Sequence, residues 1–193
     1  MSEGIRAPFG EANHLALNLR ATLAPACERI EIAGSLRRER PTVGDVELVA
    51  IPRMVTEPVG MFESREVSAL DAAVDSLIAD GALIRLSGGD RYIKLQHVGS
   101  GLQVDLFVVR PPAQWGMIYL IRTGPAAYSQ RFVTDIKPRF HVAGGALHRG
   151  GGFGCPDRCA AIETPEEEDV YSALGQAYIE PWARDRLAAL GGA

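Results

Sequence analysis

Hydrophobic and polar positions alternate with two different periods along this chain. Over residues 10–26, Leu15, Leu17, Leu19, Ala21 and Leu23 sit among polar residues, the pattern of an amphipathic helix ended near Pro25. Arg29–Ala33 and Asp45–Ile51 alternate as strands, and 52–60 reads as a loop. Val67, Leu70, Ala73, Val74, Leu77 and Ile78 return to helical spacing and stop near Gly81. Ala82–Leu86 and Tyr92–His97 flank Gly88-Gly89-Asp90, a hairpin signature, and Gln103–Val109 forms another strand before Pro111-Pro112. Residues 114–122 and 126–137 predict two short helices broken at Thr123-Gly124-Pro125. Short apolar pairs within the Gly-rich stretch 141–162 predict a small sheet. Thr164 and Pro165 predict the cap and first position of a further helix, which Gly175 ends, and Pro181 precedes the last one.

The pattern predicts an α/β (α+β) protein: a mixed sheet flanked by helices, then a smaller, mostly helical lobe with a small sheet. It divides into an N-terminal helix over 1–28, an α/β lobe over 29–113 and a helical lobe over 114–193. A length of 193 residues, 47% hydrophobic and 23% charged, excludes a disordered or collagen-like chain. No apolar run approaches the ~18 residues a membrane span needs, and the N-terminal residues do not read as a secretory signal. Three cysteines, an odd number, argue against a disulfide framework and for a reducing, cytoplasmic setting. The net charge is −4, but residues 115–160 carry six Lys/Arg against two acids. Such a basic segment within an acidic chain can build a phosphate-binding face.

Candidate chemistry concentrates where a strand runs into Gly34-Ser35-Leu36-Arg37-Arg38 and the next strand opens Gly44-Asp45-Val46-Glu47. Residues two apart on a strand share a face, so Asp45 and Glu47 project together. Paired carboxylates repel unless a positive group sits between them, and a hard divalent cation fits oxygen donors. Ser35, with the arginines behind it, suits phosphate oxygens. A third acid, Asp105, lies inside the apolar run QVDLFVV, where it is costly unless paired or metal-bound.

This constellation resembles the nucleotidyltransferase superfamily, and within it the family X (polymerase beta-like) DNA polymerases. The order Gly34-Ser35-x-Arg37-Arg38, Gly44-Asp45-x-Glu47, Val104-Asp105-Leu106, Trp115-Gly116, Thr123-Gly124 with Tyr128, and Tyr178-x-Glu180-Pro181 follows the family pattern from about residue 29 to 186. The resemblance implies a nucleotidyltransferase palm over 29–113 and a thumb-like, nucleotide-side lobe over 114–193. It implies that Asp45, Glu47 and Asp105 hold two Mg²⁺ or Mn²⁺ ions, with Asp105 helping to deprotonate a primer 3′-hydroxyl. It implies nucleotide contacts from Gly34, Ser35, Arg38, Gly44, Thr123, Gly124, Tyr128 and Ser129. Arg131, Lys137 and Arg139 fall where the basic segment would meet DNA. The expected substrates are a dNTP and a primer-template or gapped DNA, and the protein is expected to be monomeric.

The sequence also departs from that pattern. Glu47 stands for the commoner Asp, Ile121-Arg122 for an aromatic pair, and Ser129 for an Asn. Glu47 keeps a small-molecule nucleotidyltransferase of the antibiotic-modifying kind as an alternative, beside a non-catalytic nucleotide- or DNA-binding module. Lys94 and Lys137 are the only lysines, so the upstream Schiff-base lysine of relatives with a lyase domain has no counterpart within residues 1–93. Trp115, Tyr119 and Cys27 are expected in the core. Cys155, Cys159, His141 and His148 can make a zinc ligand set, but the C-x3-C spacing is loose. Two spare thiols, free or disulfide-linked, and less than one zinc per purified chain are the expectation.

Overall fold

The structure, a computed structural model, describes residues 5–60, 63–136, 139–150 and 160–190. In chain order it contains β1 (Ala7–Pro8), α1 (Phe9–Leu23), β2 (Cys27–Ile32), α2 (Gly34–Arg37), β3 (Thr42–Val43), β4 (Asp45–Pro52), β5 (Met54–Val59), β6 (Glu63–Ser68), α3 (Ala69–Ala79), β7 (Leu83–Gly89), β8 (Tyr92–His97) and β9 (Gln103–Val108). There follow α4 (Trp115–Thr123), α5 (Ala126–Asp135), β10 (Phe140–Ala143), β11 (Ala146–Arg149), β12 (Ala161–Ile162), α6 (Glu167–Leu174), a 3-10 turn (Pro181–Ala183) and α7 (Arg184–Leu190). The chain divides into two compact units, one of residues 1–32 and 41–108, the other of residues 33–40 and 109–193. Among the described residues no helix is long and apolar enough to cross a membrane.

The first unit is built on a five-stranded mixed sheet ordered β2-β4-β9-β8-β7, in which only the β4–β9 pair is parallel. Strand alternation gives the sheet two unlike faces. Val46, Leu48 and Ala50 of β4 are fully buried and share a face with Val104, Leu106 and Val108 of β9. Helix α1 packs on β4 and β2 through Ala12, Ala16, Leu19 and Leu23, and α3 packs on β7. Cys27 is buried as expected, and burial pushes its thiol up to about 11. The expected loop at 52–60 is instead one arm of a β5–β6 hairpin. All six residues of β5 are exposed, so no buried face imposes the alternation that marks a strand in sequence. Val67 lies in β6 rather than in the helix, and α3 starts two residues later behind Ser68, whose hydroxyl accepts from the Asp71 amide.

The second unit has a core of Met117, Leu120, Tyr128, Phe132, Ile136, Phe140, Leu147, Val170, Tyr171 and Leu174. Helices α4 and α5 break where expected, and β10, β11 and β12 form the small antiparallel sheet. Trp115 is buried and its ring lies 5.1 Å from that of Tyr119. Thr164 does not cap α6. The cap is Glu166, which exchanges reciprocal bonds with Asp169, so the helix starts two residues later than expected. Thr164 is taken up by α4: its carbonyl accepts from the Gly116 amide at 2.9 Å and its own amide donates to Gln114 Oε1 at 2.7 Å.

That contact makes Gly116 indispensable. A Cβ there would lie 2.0 Å from the Glu166 carbonyl oxygen and 2.7 Å from that of Thr164, and backbone cannot step aside as a side chain can. Gly→Ala inside a helix ordinarily gains stability. Gly116→Ala is expected to reverse the sign and cost at least ~1–3 kcal/mol, the range for overpacking. Chemical denaturation of the two proteins checks this; equal or greater stability of the alanine variant would refute the close packing.

Candidate functional site

The parallel register of β4 and β9 pairs Asp45 with Gln103 and Glu47 with Asp105. All four side chains therefore stand on one face of the sheet, opposite the Val46/Leu48 face. The antiparallel register of β8 adds Gln96 beside Gln103 and Lys94 beside Asp105. Farther along the same face Val49 and Phe107 are buried, so the polar patch ends in an apolar floor. Asp45 and Glu47 are partly buried and Asp105 is 8% exposed.

Asp105 is not left unpaired in its apolar run. Gln103 Nε2 donates to both carboxylate oxygens at 2.9 Å, and the Tyr92 hydroxyl donates to Oδ1 at 2.9 Å. The Tyr92 ring stacks on Phe107 at 5.1 Å, which fixes the hydroxyl. These neutral donors remove the penalty of burying a carboxylate. Gln103 was findable by the same two-residue spacing that joins Asp45 to Glu47. Tyr92 was not, because its place depends on the β8–β9 register. Among the described residues no group of three or more His, Cys, Asp or Glu side chains is gathered tightly enough to hold a metal ion. The donor chemistry nonetheless fits a hard divalent cation: carboxylate oxygens on one face, two of them register neighbours.

In the second unit, Gly34 opens α2 with φ 61°, a left-handed conformation that favours glycine. Ser35 Oγ is buried and has no hydrogen-bond partner among the described residues. Arg37 donates from Nη1 to Thr123 Oγ1 at 2.8 Å, pairs through Nη2 with Glu167 Oε2 at 2.7 Å, and lies 3.9 Å over the Tyr119 ring. Burial works against its charge, but the Glu167 carboxylate more than offsets this and holds the guanidinium above its usual value. Arg37 thus serves the fold rather than offering an open charge. Arg38 donates from Nη1 to the Thr123 carbonyl at 2.6 Å and from Nε to Asp185 at 3.2 Å.

Glu167 is the hub of this network. Its Oε1 accepts from Arg184 Nη1 at 2.5 Å and its Oε2 from the Tyr178 hydroxyl at 3.1 Å. Arg184 is fully buried and also donates to the Ile179 carbonyl. Burial, then the nearby Glu167 charge, pushes the Tyr178 phenol up to about 12. Glu167 and Arg184 were not singled out from sequence. A charged residue at helical spacing reads as solvated, and only their burial says otherwise.

The remaining expected site residues are placed as follows. Gly44 is exposed, with open space where a Cβ would point. Thr123 is fully buried and bonded to Arg37; Gly124 packs against Ser129 and Tyr128. The Tyr128 hydroxyl shares a 2.8 Å bond with that of Tyr171, and Ser129 Oγ donates to the Ile121 carbonyl at 2.8 Å. Arg131 is exposed and paired with Asp135 one helical turn on, and Arg139 is exposed. Lys137, Cys155 and Cys159 lie outside the described residues. Compared with models of known protein families and with curated proteins, the sequence matches none of them.

Proposed function

We propose that this protein is a nucleotidyltransferase of the family X DNA polymerase type, transferring a nucleotide from a dNTP to a primer 3′-hydroxyl. The observation that carries the reading is the β4–β9 register, which lines Asp45, Glu47 and Asp105 along one face of a mixed sheet of the kind such a palm requires. Asp45, Glu47 and Asp105 would hold Mg²⁺ or Mn²⁺. Bound there, the ions would acidify the attacking hydroxyl and neutralise the triphosphate. Asp105 would take the hydroxyl proton on a carboxylate oxygen, oriented by Tyr92 and Gln103. The resemblance assigns Ser35 and Arg38 to the triphosphate. Arg131 and Arg139 would meet the DNA backbone.

A second reading, transfer to a small-molecule acceptor, is favoured by one observation. Thr123, Tyr128 and Ser129, which the polymerase resemblance assigns to the nucleotide, are buried and bonded to protein groups. Primer extension with each dNTP, with and without template, in Mg²⁺ and in Mn²⁺, separates the two. Template-dependent extension is expected. Pyrophosphate release with an aminoglycoside acceptor and none with primers would favour the second reading, and no release with either would refute both.

A further inference from the structure

His141 of β10 and His148 of β11 are direct cross-strand partners, so their side chains stand together on one face of the small sheet. Their ring centroids are 5.1 Å apart and the planes differ by 15°. His141 Nδ1 lies 2.7 Å from the Gly150 carbonyl oxygen. A carbonyl only accepts, so Nδ1 carries the proton, and the neutral ring presents a lone pair at Nε2. That Nε2 is buried and has no hydrogen-bond partner among the described residues. A buried acceptor with nothing to accept from is costly and asks for an explanation.

We propose that His141 and His148 form a binding site for a transition-metal ion of the Zn²⁺ or Ni²⁺ type. An imidazole whose far N–H is anchored on a backbone carbonyl is the usual posture of a metal-ligating histidine. The centroid spacing fits as well, and the near-parallel rings would turn about their side-chain bonds to converge on the ion. Two imidazoles on one tetrahedral ion, with metal–nitrogen distances of about 2.0–2.1 Å, hold their ring centroids about 5 Å apart. Imidazole nitrogens prefer Zn²⁺, Ni²⁺ and Cu²⁺ to Mg²⁺ or Ca²⁺, so the site is chemically distinct from the carboxylate face of β4 and β9. With two protein donors, water completes the coordination, and binding is reversible. Such a site takes up metal when it is supplied and loses most of it during purification, in keeping with the low zinc content expected from the sequence. The ion would tie β10 to β11 beside the Gly150 carbonyl.

The test is titration of the chelator-treated, reduced full-length protein with ZnCl₂ and with NiCl₂, followed by calorimetry and by histidine ring NMR. One ion per chain is expected, shifting the ring signals of His141 and His148 while those of His14 and His97 stay in place. His141→Ala and His148→Ala are each expected to weaken binding by more than roughly tenfold. Cys155→Ser/Cys159→Ser is expected to bind as the parent does. Metal-free melts and circular dichroism show whether each variant is folded, and the wild-type NMR titration decides the matter if a histidine variant is not. Unshifted His141 and His148 signals, or uptake that survives both histidine variants, would overturn the proposal. So would uptake abolished in the cysteine variant, because thiolates would then be the ligands.

Discussion

Glu167→Ala is expected to lower the unfolding free energy by about 3–5 kcal/mol, the usual cost of removing one partner from a buried ion pair. Glu167 is the carboxylate between two guanidiniums, Arg184 at 2.5 Å and Arg37 at 2.7 Å. Arg184 is fully buried, so water cannot take over when the carboxylate goes. Both arginines would then be charged, poorly solvated and without their counter-ion, and the Tyr178 hydroxyl would lose an acceptor. Glu167→Gln keeps the acceptor oxygen but not the charge and is expected to fall between wild type and Glu167→Ala. Guanidinium denaturation followed by far-UV circular dichroism gives the comparison. A loss below ~1 kcal/mol for the alanine variant would mean that the network is solvated and that burial does not govern it.

Asp105→Asn is expected to cut nucleotide incorporation at least roughly 10²-fold, because charge stabilisation and proton removal dominate this chemistry. The asparagine keeps the shape of the side chain and a carbonyl for Gln103, so stability should change little. Asp105→Ala is a different experiment. It leaves the Gln103 amide and the Tyr92 hydroxyl without their acceptor and adds about 1–3 kcal/mol of destabilisation. Reading carboxylate repulsion from the sequence alone would give the opposite sign. Single-turnover rates at saturating Mg²⁺ and dNTP, with unfolding curves for both variants, separate the two effects. Near wild-type incorporation by Asp105→Asn would remove Asp105 from the proposed chemistry.

Local signals were legible wherever one period or one turn decided the outcome. The alternation of DVELVAI, the β7–β8 hairpin (whose turn falls at Asp90-Arg91, the two glycines being paired in β7), and the break at Thr123-Gly124-Pro125 each act over a few residues. The shared face of Asp45 and Glu47 followed from the strand period alone. That Asp105 stands beside Glu47 needed the parallel β4–β9 register, which no local pattern encodes. The arginines show the limit most sharply. Arg37 and Arg38 looked like open positive charge, yet their partners lie 85 to 147 residues away in the chain. Thr164 misled for a related reason. Its type favours a cap, but Glu166 with Asp169 satisfies the helix start more completely, and Thr164 is bound to α4 instead.

The assignment of residues 33–40 to the second unit has a consequence for the order in which the molecule is made. A ribosome delivers the chain from its N-terminus, and units tend to fold as they emerge. The sheet of the first unit has all five strands once Val108 is out. At that moment Arg37 and Arg38 have emerged, but Thr123, Glu167, Tyr178 and Asp185 have not. The loop therefore waits, tethered at both ends to a finished sheet, until the last fifth of the chain arrives. The same segment cannot be supplied by expressing residues 109–193 alone, since a fragment cut there would leave Glu167 facing Arg184 without its second guanidinium.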